Sequence, residues 1–108
     1  MKVLLSIKPK FAELIFDGSK KYEFRRSIFK NPNIKTVIVY ASSPMKQVIG
    51  EFEIDSILSD APENLWKETH NDSGISEKFF FDYFSEKNIG FAIKVKTVQR
   101  YDKPRCPK

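Results

Sequence analysis

The sequence predicts an α+β fold that is mainly β: a small, mostly antiparallel barrel with helices closing its openings. Three observations carry this expectation. Short runs rich in β-branched and aromatic residues recur along the chain, separated by Gly, Pro, Asn and Ser turn signals. The helical patterns are few and short, too few for a doubly wound parallel sheet. A length of 108 residues, with 14% aromatic content, supports one domain around one modest core.

In order, residues 2–7 alternate loosely as a first strand. Pro9 suits a first helical turn, and Phe11, Leu14 and Ile15 fall at the spacing of a buried helix face. Gly18 terminates that helix, since glycine alone enters the left-handed conformation cheaply. Lys20–Arg26 reads as a second strand, with Lys21, Glu23 and Arg25 on one face and Lys20, Tyr22, Phe24 and Arg26 on the other. On a straight strand Lys20 faces away from Glu23, so the two converge only if Lys20 lies in the turn before it.

Asn31-Pro-Asn33 is a turn. Thr36–Ala41 is continuously apolar, β-branched or aromatic, the pattern of a strand buried on both faces. Ser42-Ser-Pro44 is a loop, and a long strand runs from Gln47 to about Leu58. Gly50 within it marks a bulge or a close backbone approach. Asp60-Ala-Pro-Glu63 has the composition of a helix start, with Asp60 as cap. The helix carries Leu65 and Trp66, assigned to the core, and frays across His70–Gly74.

Ser76 caps a further helix whose stripe of Phe79, Phe80, Tyr83 and Phe84 is assigned to the core, with Phe81 outside it as a partly exposed residue open to a dimer contact. Asn88-Ile-Gly90 turns into a last strand, Phe91, Ile93 and Val95 alternating with Lys94 and Lys96, and a shorter strand follows near Val98–Tyr101. The whole, residues 1–108, is read as one domain, residues 102–108 being a flexible tail.

The net charge of +5 is unevenly spread. Residues 1–35 hold nine Lys/Arg against three acids, residues 36–93 four against ten, and residues 94–108 six against one. If the terminal strands lie together, the domain has one positive and one negative face, and a positive face attracts phosphates. A solvated charged surface has the same composition. No apolar run approaches the ~20 residues that span a bilayer, so no membrane partner is expected. The N-terminal apolar stretch is too short for a secretory signal. Cys106, the only cysteine, cannot form an internal disulfide, which fits a reducing, cytoplasmic location. In a terminal segment it has no fixed base to make it a nucleophile. With His70 the only histidine, no zinc site of the His/Cys type and no Ser-His triad is expected, and neither metal nor cofactor is called for.

The densest chemistry lies in Gly18-Ser-Lys-Lys-Tyr-Glu-Phe-Arg-Arg26: four cations, a carboxylate and two aromatic rings. The run Leu5–Arg25, with Gly18, Lys20, Glu23 and Arg25 at the family's spacing, resembles an ASCH domain, a relative of the PUA RNA-binding domain. Tyr40-Ala-Ser-Ser-Pro44, then Gly50-Glu-Phe52 and Gly90-Phe-Ala-Ile-Lys94, continue the resemblance in order. It implies a PUA-like β-barrel with a cleft beside the first helix and a role in RNA or nucleotide handling. Some family members resemble amidohydrolases that deacylate a modified cytidine with a Lys, a Thr and a Glu; others are linked to RNA cleavage or regulation. By position the Lys is Lys20 and the Thr falls on Glu23, a departure, because a carboxylate does not replace a hydroxyl nucleophile. The third, acidic residue falls on Glu68 or Asp72.

The leading expectation is therefore an RNA- or nucleotide-binding domain in which Lys8, Lys20, Arg25 and Arg26 contact phosphate or base. Glu23 orients them or reads a base edge, and Ser42 and Ser43 donate from their loop. Arg forks bind phosphate in bidentate fashion, and Tyr22, Phe24 or Tyr40 can stack a base. Lys94, Lys96, Arg100, Lys103 and Arg105 either extend the positive surface or solubilise the tail. The alternative is a small hydrolase acting on a modified nucleoside or on RNA, with Lys20 and Glu23 as proton-transfer pair. A regulatory module with a protein partner is the third reading. In the plainest reading the charges are a surface strand's ion pairs, each worth about 0–1 kcal/mol.

Overall fold

The computed structural model describes residues 1–106, and the chain's remaining two residues lie outside the description. Five strands form one sheet in the order β1-β3-β4-β5-β2: β1 (Lys2–Ile7), β2 (Tyr22–Arg25), β3 (Thr36–Ala41), β4 (Gln47–Asp60) and β5 (Gly90–Arg105). β1 pairs with β3 in parallel and every other pairing is antiparallel. The sheet curls into a half-barrel whose two edges are β1 and β2. This is the mostly antiparallel α+β architecture, with flanking helices, that the patterning predicts.

Helix α1 (Pro9–Asp17) lies against the sheet and buries Ala12 and Ile15 with Val37, Val39, Ile49, Phe52 and Ile93. Pro9 occupies its first turn, and Gly18 ends it at φ 90°, as the sequence requires. The predicted close approach at Gly50 is real: a Cβ there would lie 2.6 Å from both the Gln99 carbonyl oxygen and Phe16 Cζ. Helices α2 (Pro62–Thr69) and α3 (Glu77–Tyr83), linked through a 3-10 turn at His70–Asp72, build a second core. There Leu65, Phe80 and Phe84 meet Tyr22, Phe24 and Ala92. Ser76 caps α3, its hydroxyl accepting from the Phe79 N–H at 3.1 Å.

Several expectations need correction. β2 begins at Tyr22, not Lys20, because Lys20 N–H is held by the Leu14 carbonyl at the helix end. α2 is capped at Ala61; Asp60 closes β4, and its carboxylate accepts from the Ala61 N–H at 2.7 Å. The last two strands are one, since β4 pairs along β5 from Asp60 opposite Gly90 to Val48 opposite Arg105, with irregularities in register between. Asp102–Arg105, expected in a flexible tail, therefore belong to β5, while residues 107–108 of that expected tail lie outside the described residues. The terminal strands β1 and β5 are separated by β3 and β4, so they do not pool their charge by pairing. Trp66 is half-buried, its ring 4.9 Å from Phe80, and Phe79 is half-buried at the edge of a cleft instead of inside the core. Phe81 is partly exposed, as expected. No helix is long and apolar enough to cross a membrane among the described residues.

Candidate functional site

A half-barrel leaves two strand edges with unpaired backbone groups. Here the edges approach each other at the C-terminal end of β1, and the guanidinium of Arg25 in β2 reaches across to donate to the Ser6 carbonyl at 3.2 Å. The gap between those edges, roofed by α1 and α3, is a cleft of about 520 Å³. That is within the usual range for small-molecule sites. It is lined by Ser6, Ile7 and Lys8 from the end of β1, Phe11 from α1, Lys20 through Arg26 in part, Ile75, and Phe79, Asp82 and Tyr83 from α3.

The helix stop places Lys20. Gly18 N–H bonds back to the Ile15 carbonyl, Ser19 N–H to the Asp17 carboxylate, and Lys20 N–H to the Leu14 carbonyl at 3.0 Å. The chain then enters β2 with Lys21 N–H on the Asp72 carbonyl at 2.8 Å. Lys20 thus sits in the turn, and its side chain converges on the same cleft as Glu23 and Arg25. Its stem lies on Gly74, which has φ 69°; a Cβ there would fall 2.7 Å from Lys20 Cβ. Its ammonium donates to the Ser73 carbonyl at 2.7 Å and lies 4.7 Å and 5.4 Å from the ring centroids of Phe24 and Phe11. The Ser73 hydroxyl in turn lies 3.1 Å from both the His70 and Ile75 carbonyls and donates to one or the other, fixing the loop.

Glu23 pairs across the ladder with Ile93, a first-core residue, so its side chain points toward the barrel interior. Tyr22 and Phe24 take the other face and the second core. Lys20 and Glu23 are 2% and 6% exposed. Burial lowers the Lys20 pKa from its ordinary 10.5 to about 8, with the Glu23 charge opposing the shift. Burial raises that of Glu23, opposed by the charges of Lys20 and Arg25 and by a hydrogen bond from Arg25. Arg25 Nη1 lies 3.4 Å from Glu23 Oε2. A buried acid and base with pKa values pushed toward one another is the electrostatic arrangement of a proton-transfer pair.

Arg26 is exposed at the rim; its Nε donates to the Tyr83 carbonyl at 2.7 Å, and its guanidinium carbon lies 4.4 Å from the Tyr83 ring centroid. Tyr83 itself donates to the Phe24 carbonyl at 3.2 Å, tying α3 to β2. Burial raises the Tyr83 pKa, with the Arg25 charge opposing. The structure brings together Lys8, Lys20, Glu23, Arg25 and Arg26. Ser42 and Ser43 do not line the cleft: Ser42 N–H bonds the Ile7 carbonyl, and Ser43 is exposed beside a cis peptide to Pro44.

Glu68 and Asp72 are exposed and also outside the lining; Asp72 contributes its backbone carbonyl to Lys21. Tyr22 is buried and Tyr40 lies outside the cleft, whereas Phe24 forms part of its wall. Phe11, Phe79 and Tyr83, read only as core, are the half-buried rings that line it. His70 is exposed on the Trp66 carbonyl, and no cluster of three or more His, Cys, Asp or Glu suited to a metal occurs among the described residues.

Comparison with known proteins identifies the family and the fold. A family model described as the ASCH domain matches residues 5–104. The chain is 32% identical over 95 residues to an ASCH domain-containing ribonuclease of Zymomonas mobilis, covering 86% of this chain and 64% of that protein. It is 29% identical over 103 residues to the large ribosomal subunit protein uL22 of Ureaplasma parvum, covering 95% of this chain but 33% of that one. It thus spans only about a third of that ribosomal protein. The crystal structure of ASCH from Zymomonas mobilis matches with a TM-score of 0.87 at 30% identity, covering 95% of this chain and 71% of that one. The N-terminal domain of Staphylothermus marinus McrB, at 14% identity and a TM-score of 0.54, shares the fold alone. The chain belongs to the ASCH domain family and has its PUA-like fold.

Proposed function

We propose that this domain binds single-stranded RNA in the cytoplasm, seating one nucleotide in the cleft between β1 and β2. The observation that carries the reading is the convergence of Lys8, Lys20, Arg25 and Arg26 with the rings of Phe11 and Phe79 in one cleft of about 520 Å³. Aromatic faces stack any base, and guanidinium forks hold phosphate oxygens in bidentate fashion. Arg26 has only its Nε engaged in a hydrogen bond among the described residues, so its terminal nitrogens point to a ligand role at the rim. Glu23 pairs with Arg25 and offers a carboxylate oxygen to an exocyclic amine of a base. The name of the Zymomonas relative, a ribonuclease, points to the same class of ligand.

Affinity for a fluorescein-labelled decauridylate, measured from 50 to 300 mM salt, tests this. It is expected to fall with salt and to drop in Arg25→Ala and Arg26→Ala; affinity indifferent to both would overturn it.

The buried Lys20–Glu23 pair favours a second reading, RNA cleavage in the same cleft. Binding alone does not need a lysine whose pKa is lowered to about 8 beside a carboxyl whose pKa is raised. Glu23 would accept a proton from the attacking hydroxyl and Lys20 would supply one to the leaving oxygen. A carboxylate at position 23 offers no hydroxyl nucleophile, which counts against amidohydrolysis of an acylated cytidine. Product analysis after incubation with RNA and with acylcytidines separates the cases. Turnover of neither, with Lys20→Ala binding RNA normally, removes the enzyme reading.

A further inference from the structure

At the mouth of the cleft, three lysines, two of them from its lining, surround one pair of the rings that line it. Phe11 and Phe79 meet edge to face with centroids 5.2 Å apart. Lys20 approaches Phe11 from the cleft at 5.4 Å; Lys10, which is not part of the cleft lining, approaches the same ring at 5.2 Å and Phe79 at 6.0 Å. Lys8 lies 5.6 Å from the Phe79 centroid. Lys8 and Lys10 are exposed, and neither ammonium has a carboxylate or hydrogen-bond partner among the described residues. Three ammonium groups gathered at two rings repel one another, and the rings' quadrupoles offset only part of this. A half-buried aromatic with unpaired lysines around it is the composition of a stacking platform that holds a strand's backbone.

We propose that Phe79, Lys8 and Lys10 form a second nucleotide subsite at the cleft mouth. The base next to the one in the cleft stacks on Phe79, and Lys10 holds its phosphate. This rests on the RNA-binding reading of the cleft and extends it. The domain would then take a strand of at least two nucleotides in preference to a free nucleotide, with Phe11 as the partition between the two positions. Lys10 is exposed on the first turn of α1, so replacing it leaves both cores untouched.

The probes are uridine monophosphate, the dinucleotide UpU and labelled decauridylate, titrated against the wild-type chain, Lys10→Ala and Lys10→Glu. UpU is expected to bind wild type several-fold more tightly than the mononucleotide. Lys10→Ala should weaken decauridylate about 3- to 10-fold at low salt and lower its salt slope by about 0.7, one phosphate's share on a single strand. Lys10→Glu should weaken it further, and mononucleotide affinity should stay unchanged in both. Wild-type binding to decauridylate with no effect of either substitution would overturn the subsite alone. Equal losses for the mononucleotide and decauridylate would also overturn it, by placing Lys10 in the cleft. Wild-type failure to bind any of the three would overturn the RNA reading itself.

Discussion

Replacing Lys20 with methionine keeps the length of its buried stem and removes the charge. Lys20 is 2% exposed, and burial lowers its pKa from 10.5 to about 8. At neutral pH the folded protein therefore carries a penalty of about 3 kcal/mol for keeping Lys20 charged. The sign follows from proton binding. Between about pH 8 and 10.5 the unfolded chain holds the Lys20 proton and the folded chain releases it, so the wild type gains stability as pH rises. Lys20→Met has no such gain. Urea unfolding of both proteins from pH 7 to 9.5 subtracts the titrations they share. The wild type should improve relative to Lys20→Met by about 2 kcal/mol by pH 9.5. On a Glu23→Gln background Lys20 loses the charge that holds its pKa up, and the same gain should move to lower pH. A stability difference that stays flat with pH would refute the buried, shifted lysine.

Gly74→Ala places a side chain at φ 69° against the Lys20 stem. It should cost about 1–3 kcal/mol in urea unfolding and raise the Lys20 pKa as the ammonium moves toward solvent, observable by NMR titration of the lysine. Gly50→Ala drives a Cβ to 2.6 Å from the Gln99 backbone carbonyl oxygen. Since backbone gives way less readily than a side-chain tip, about 1–3 kcal/mol of stability should be lost, with no change specific to ligand binding. Arg25→Ala frees the Ser6 carbonyl and leaves Glu23 with Lys20 as its remaining offsetting charge. The Glu23 pKa should rise further, so the variant should lose more stability at pH 7 than at pH 4, where the carboxyl is mostly protonated in both folded and unfolded chains.

Local signals were legible where local forces decide. Pro9, the Phe11/Leu14/Ile15 spacing and Gly18 mark α1, and Ser76 marks α3. The strand pattern alone put Lys20 in β2, and its offset from Glu23 gave the turn only as the condition for the two to meet; the structure meets that condition, with the Lys20 backbone held by Leu14. Gly50 signalled a close approach without naming its neighbours, because Phe16 and Gln99 reach it only through the tertiary fold. The seat of the Lys20 ammonium was invisible for the same reason: Ser73 lies 53 residues away and offers a backbone carbonyl, which no residue type announces.

Phe79 looked like core because helical spacing groups it with Phe80, Tyr83 and Phe84. Which part of that stripe meets the cleft depends on how α3 lies across the seam between β1 and β2. Exposed Lys and Arg near the C-terminus read as a tail, but a sixteen-residue strand with polar side chains is sustained by pairing along β4.

The proposed function places RNA in the gap between the two sheet edges. Titrating the 15N-labelled chain with decauridylate and following amide shifts tests it most directly. Changes are expected to concentrate at Ser6–Phe11, Lys20–Arg26 and Ser73–Tyr83, on the three walls of the cleft. Changes confined to the distal half of β5 beyond Lys96, with the cleft amides unmoved, would contradict it.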